Sequence, residues 1–134
     1  MDDIFVARIM SPDPITVTAD TLVEDAAATM LENDIGSVVV TDGDGDLAGI
    51  LTTTDFVRIV AERRPKDETP VSSYMSTGVV TASAQDPVHD VADAMLEHGV
   101  HHIPVVSETE GVIGIVTTTD LAAYVSRSRA PSPT

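Results

Sequence analysis

Gly49-Ile50-Leu51-Thr52-Thr53-Thr54-Asp55 returns 65 residues later as Gly114-Ile115-Val116-Thr117-Thr118-Thr119-Asp120. The match extends in both directions. Residues 6–57 align without a gap onto residues 71–122, and 18 of the 52 aligned pairs are identical. Met10-Ser11 answers Met75-Ser76, and Met30-Leu31-Glu32 answers Met95-Leu96-Glu97. An internal repeat constrains architecture before any other feature does. Two copies are too few for a long solenoid. They suit two related modules packed about a pseudo-two-fold axis, with equivalent clefts at the junction. The two Thr-Thr-Thr-Asp segments then mark two related candidate sites.

Composition limits the remaining choices. The chain has 134 residues, 43% of them apolar, enough for a core of ordinary domain size. Aromatics are only 3%, so Val, Ile, Leu, Ala and Met must fill that core. The absence of Cys excludes disulfides and thiolate metal sites. Apolar runs are too short to span a bilayer. Met1-Asp2-Asp3-Ile4 carries no basic segment of the signal-peptide kind, so a cytoplasmic location is expected. Seven Lys plus Arg against 22 Asp plus Glu give a net charge of −15. Such a surface repels nucleic acid and anionic membranes, so neither is expected as a partner. Lys66 is the sole lysine. Acid-rich, Lys-poor and Thr-rich composition resembles that of halophilic proteins, a merely acidic cytosolic protein being the other reading.

Hydrophobic periodicity gives the same element order twice. A short helical start (residues 6–10 and 71–75) leads to a short strand (15–17 and 79–81). An amphipathic helix follows. Leu22, Val23, Ala26, Ala27, Met30 and Leu31 share one face in the first copy; Val88, Val91, Ala92, Met95 and Leu96 do so in the second. Asp20 or Thr21, and Asp86 before Pro87, suit the N-terminal cap and first turn. Two apolar strands come next, 37–41 with 47–52 and 103–106 with 112–117. The first pair is joined by Asp42-Gly-Asp-Gly-Asp46, read as a hairpin turn rather than a calcium loop, since Leu47 and Thr53 stand where a calcium loop needs Gly and Glu. A last helix starts at each Thr-Thr-Asp. The expected division is residues 1–64, residues 65–126 including a linker at 65–70, and a flexible Ser/Pro/Arg tail at 127–134.

This order resembles the cystathionine-beta-synthase (CBS) domain, and two in tandem resemble the CBS pair, or Bateman module. The resemblance covers about residues 4–126. It is carried by Val6-Ala-Arg-Ile-Met-Ser-Pro12, by His101-His-Ile-Pro-Val-Val106 and by the two Gly-Ile-(Leu/Val)-Thr-Thr-Thr-Asp segments. The fold class expected is α+β, two modules packed through short sheets. With no catalytic domain attached, the resemblance implies a stand-alone regulatory pair. Its ligand would contain adenine: AMP, ADP, ATP, NAD or S-adenosylmethionine. Isolated pairs of this type commonly dimerise, so a homodimer is expected.

Two roles are open to each Thr-x-x-Asp. At a strand-to-helix junction it forms a capping box, which needs no ligand. The same exposed amides can hold a phosphate, and a carboxylate can accept both ribose hydroxyls. The resemblance assigns Thr52 and Asp55 to one nucleotide site and Thr117 and Asp120 to the other. It makes His101 the preferred phosphate contact, with His102 directed elsewhere by strand alternation. Which cleft His101 serves is open. The first repeat has Gly36-Ser37 at that place, so the two sites should be unequal. Arg58 is a further candidate for a polyphosphate. The resemblance also implies an apolar slot for the base from residues 15–18, 38–39, 79–82 and 103–104, hence Thr18, Val38, Ile103 and Pro104. His98, His101 and His102 have helical spacing, but Gly99 and Pro104 interrupt a helix there, and no metal site is expected.

No nucleotide-hydrolysing signature such as a P-loop is present. Two other readings stand beside regulatory binding: a ligand-free module that docks an unidentified regulated protein, and a small phosphohydrolase using Asp55, Asp120 and His101.

Overall fold

The computed structural model describes residues 4–128. Among these residues are six strands and four α-helices, in the predicted order except that β1 is additional and residues 79–81 form no strand. The first repeat gives β1 (Ser11–Pro12), β2 (Thr16–Thr18), α1 (Val23–Asn33), β3 (Ser37–Thr41), β4 (Leu47–Thr52) and α2 (Thr53–Ala61). The second gives α3 (Val88–His98), β5 (His102–Ser107), β6 (Gly111–Thr117) and α4 (Thr118–Ser128). Short 3-10 turns at Val6–Arg8 and Val71–Ser73 open the two repeats. The fold is α+β, as the repeat predicts. α4 includes Arg127 and Ser128, the first two residues of the segment expected as a tail. Residues 129–134 lie outside the described residues.

The described residues form two three-stranded sheets, ordered β2-β3-β4 and β1-β6-β5. The second reveals an exchange that the linear repeat hides. β1 belongs to the first repeat but pairs antiparallel with β6 of the second, Ser11 against Ile115. Reciprocally, Ser76 of the second repeat bridges Ile50 in β4 of the first. The cores follow. Val6, Ile9 and Met10 pack with Val91, Met95, Ile103, Val105 and Val116. Val71, Tyr74 and Met75 pack with Val23, Ala26, Met30, Val38, Val40, Leu51 and Ile59. Each opening segment therefore closes the other repeat's core.

Gly49 and Gly114, equivalent in the repeat, permit this exchange. A Cβ on Gly49 would lie 2.6 Å from the carbonyl oxygen of Ser76 and 2.9 Å from Met75 Sδ. On Gly114 it would lie 2.5 Å from Met10 Sδ and 3.0 Å from the carbonyl oxygen of Ser11. Both glycines are places where a backbone passes directly over the strand.

The second repeat departs from expectation at residues 79–81, which form no strand. In the first repeat β2 runs parallel to β3, and the Val39 amide donates to the Ile15 carbonyl at 3.3 Å. The residue equivalent to Val39 is Pro104, which has no amide hydrogen to donate. Only Ala82 remains paired, through an isolated bridge to Val105.

Helix starts also differ from expectation. Leu22 and Pro87 are the N-cap residues of α1 and α3, and neither makes a side-chain cap. Backbone carbonyls take the exposed amides instead: Thr69 and Lys66 for Val23 and Glu24, and Ile4 for Val88. Asp86 and Thr21 close the preceding turns by accepting from the Ser83 and Thr18 amides. Val23, Ala26 and Met30, and Val88, Val91 and Met95, are buried as the periodicity predicts. Leu31 and Leu96 are each 84% exposed, so the apolar stripe is wider than the core it covers. The 42–46 turn is a hairpin. Asp42 Oδ1 accepts from the Asp44 and Asp46 amides at 2.9 and 3.0 Å.

Candidate functional site

Strand exchange creates two clefts between the repeats. Each pairs one repeat's Thr-Thr-Asp helix start with the other repeat's loops. The first, about 520 Å³, is walled by residues 11–15, Asp34 to Ser37, Val39, Ile115 and residues 117–120. The second, about 470 Å³, is walled by Ile50, residues 52–55, Arg58, residues 76–80 and residues 98–102.

Both helix starts are capping boxes. In α2 the Thr52 amide donates to Asp55 Oδ2 at 2.8 Å, and the Thr52 hydroxyl faces the same oxygen at 3.4 Å. At α4 the Thr117 amide donates to Asp120 Oδ2 at 2.8 Å, and the Asp120 amide donates back to Thr117 Oγ1 at 3.3 Å. Oδ1 of Asp55 lies 3.8 Å from Arg58 Nη1, while Oδ1 of Asp120 takes no part in its cap. The capping role is thus realised, by residues that also line the clefts, Asp55 with its side chain only 5% exposed. A helix N-terminus in each cleft offers amides and positive potential to an anion.

The histidines divide between the clefts. His101 lines the second, with Asp55 and not with Asp120. His102 is not directed away: it lines the first cleft and also borders the second. Its ring lies against Gly36, where an added Cβ would sit 3.4 Å from Cε1. His102 Nδ1 is buried without a hydrogen-bond partner. Burial pushes the His102 imidazole below the ordinary histidine pKa, repulsion from His101 adds to this, and Asp120 opposes it. The neutral ring is the favoured form.

Four residues assigned to the base slot line neither cleft. Val38 and Ile103 point into the two cores, because strand alternation gives the cleft side to Val39 instead. Pro104 is fully buried beside Ile115 in the β5–β6 ladder. Thr18 is exposed and bonded to Asp20 and Thr21. Conversely, Asp13 and Asp34 line the first cleft although no sequence pattern singled them out. Among the described residues no three His, Asp or Glu converge as a metal site. No described helix is long and apolar enough to cross a membrane.

Comparison with known proteins agrees with this architecture. The CBS domain model matches twice, at residues 6–62 and 71–127. A CBS domain pair of protein MJ0100, solved in complex with 5-methylthioadenosine and S-adenosyl-L-methionine, superposes with a TM-score of 0.87. It is 27% identical, over 96% of this chain and 100% of that one. A Pyrococcus horikoshii protein superposes at 0.85 with 31% identity, covering 99% of this chain and 100% of its own. Among curated relatives, a 17.7 kDa protein of Acidianus ambivalens is 32% identical over 87% of this chain and 70% of its own length. The L-aspartate semialdehyde sulfurtransferase of Methanocaldococcus jannaschii is 30% identical over 87% of this chain, which spans only 22% of that enzyme. With both repeats matched in tandem, the chain belongs to the CBS domain family.

Proposed function

We propose that the chain is a regulatory module that binds adenine-containing ligands in its two inter-repeat clefts. The observation that carries this reading is the duplicated geometry itself. In each cleft a Thr-x-x-Asp helix start from one repeat faces a loop from the other. A ligand held there contacts both repeats at once, so binding favours one arrangement of the pair over others. The MJ0100 pair, solved with two adenosyl ligands, supports this class of ligand.

In this reading Asp55 and Asp120 accept ribose hydroxyls, while Thr52, Thr117 and the helix amides hold the sugar or phosphate. His101 and Arg58 bring donors to the second cleft, which suits AMP, ADP or ATP. NAD and S-adenosylmethionine share the adenosine portion. The base rests on Val39 and Ile115 in the first cleft and on Ile50, Val79 and Val80 in the second. The module acts by binding and is not itself an enzyme. Its acidic surface suits a saline cytoplasm.

The active unit in this proposal is a homodimer. Leu31 and Leu96 occupy equivalent positions, as do Val60 and Val125, and all four are exposed. Light scattering should give twice the chain mass.

The experiment is native extraction followed by mass spectrometry of co-purified small molecules, then calorimetry with the compound found. Recovery of an intact adenosyl compound supports the proposal. A folded protein that binds no adenosyl compound favours a ligand-free interaction module, and hydrolysis of the compound favours a phosphohydrolase.

A further inference from the structure

The two clefts are equivalent in backbone but differ in charge. The first contains Asp13, Asp34 and Asp120 with no Arg or Lys, and its one imidazole is His102. Counting that imidazole as neutral, the formal charge is −3. The second contains Asp55 beside Arg58, which cancel, together with His98, His101 and His102.

Two of the three charges that separate the clefts lie at two turns; the third is Arg58, whose repeat equivalent is Ala123. Asp13 and Asp34 adopt left-handed backbone, with φ of +51° and +52°. The repeat places Gly78 and Gly99 at the equivalent positions, with φ of +61° and +65°, and both line the second cleft. Glycine adopts this conformation without strain, whereas a side chain must tolerate it. The first repeat therefore carries two carboxylates where the conformation itself asks for glycine and the twin has it. Both residues stand on the wall of a cleft that already has Asp120.

We infer that Asp13 and Asp34 are specificity residues that exclude phosphorylated ligands from the first cleft, which takes a neutral or cationic nucleoside. The second cleft takes the phosphorylated one. This rests on the reading of both clefts as adenosyl sites and assigns each its ligand class. A phosphate entering the first cleft approaches three carboxylates and no permanent cation. A nucleoside without phosphate meets no such repulsion, and a positively charged substituent gains from the same field. The module would thereby report two ligand classes independently.

The test compares adenosine with AMP, which differ only in the phosphate. Calorimetry is run at the lowest KCl concentration that keeps the chain fully folded. Adenosine should fill two sites per chain. AMP should fill one, with second-site affinity weaker by about tenfold or more. In the Asp13→Asn/Asp34→Asn variant AMP should fill both sites, with adenosine unchanged. Asparagine tolerates left-handed backbone, so the variant removes charge without asking for a new conformation. The Asp13→Gly/Asp34→Gly variant copies the twin repeat and should behave the same way. Raising KCl should narrow the gap in the wild type by screening. Two equal AMP events in the wild type overturn the inference. So does a variant that binds two adenosines but still only one AMP. If adenosine binds neither cleft of the folded wild type, the adenosyl reading of the clefts fails and the inference falls with it.

Discussion

His101 shares a cleft with Asp55, although the two residues come from different repeats. Its neighbour His102 shares the other cleft with Asp120. Adjacent imidazoles at the start of β5 thus reach different clefts, although His102 also borders the second, and pairing with Thr117 in the β5–β6 ladder sets His102 beside its own repeat's helix start. The prediction concerns the phosphate. His101→Ala should weaken AMP binding at the Asp55 cleft and leave adenosine binding there unchanged. Loss of a hydrogen bond to a charged group corresponds to about tenfold in affinity. Calorimetric titration of both ligands into both proteins measures it. Equal loss for adenosine and AMP would mean that His101 shapes the cleft and does not contact phosphate.

The crossing strands make a prediction about stability. Gly49→Ala should destabilise more than Gly114→Ala. At Gly49 the new methyl meets the Ser76 carbonyl oxygen at 2.6 Å, and that carbonyl is fixed by accepting from the Ile50 amide at 3.1 Å. At Gly114 its nearest neighbour is the end of the Met10 side chain, which can swing aside. Overpacking of this kind costs about 1–3 kcal/mol. Urea unfolding of the two variants gives the order; equal or reversed losses would show that the exchanged segments are not held tightly against the strands.

The part of this fold legible in the sequence was whatever the repeat and local turn chemistry specify. Residues 37–41 and 47–52 are recovered as strands to the residue, because a continuous apolar run followed by Asp-Gly-Asp-Gly-Asp leaves little alternative. Segment exchange was not legible, since Val6 and Val71 look alike and nothing local says which core each enters. Pro104 did carry a readable signal, the absence of a donor, which explains why residues 79–81 form no strand. At the site, Thr52, Asp55, Thr117, Asp120 and His101 lie on cleft walls. Of the ranges expected for the base slot, Ile15, Val39, Val79 and Val80 lie on cleft walls, whereas Val38 and Ile103 lie in the cores, because alternation decides core against cleft. Asp13 and Asp34 were missed, though comparing them with their glycine twins would have found them.

Acid sensitivity should trace to His102. Its pKa is lowered in the folded protein, chiefly by burial, from the ordinary value of 6.5. In the window just below 6.5 the unfolded chain therefore holds more protons than the folded one, and stability rises with pH. This contribution is fully present above about pH 6.5 and is lost as pH falls through the folded-state pKa. His102→Ser, which installs the residue of the first repeat, should flatten melting temperature against pH in that window. Parallel curves for variant and wild type would assign the acid sensitivity to other groups.

Salt should stabilise the chain. At a net charge of −15 the folded state repels itself, and the Debye length falls to about 3 Å at 1 M. Melting temperature should rise as KCl is raised from low to molar concentration. A flat or falling curve would count against the halophilic character expected from the composition.

The central claim is that the two capping carboxylates also recognise ribose. The measurement is calorimetric titration of adenosine and 2′-deoxyadenosine into the wild type, Asp55→Ala and Asp120→Ala, with melting temperatures recorded alongside. Each variant should lose about 1 kcal/mol of stability with its cap. At the altered cleft it should bind adenosine about tenfold more weakly and stop distinguishing the two sugars, while the intact cleft still does. Variants that melt earlier yet bind and discriminate both sugars as the wild type does would contradict the account, leaving Asp55 and Asp120 as helix caps alone.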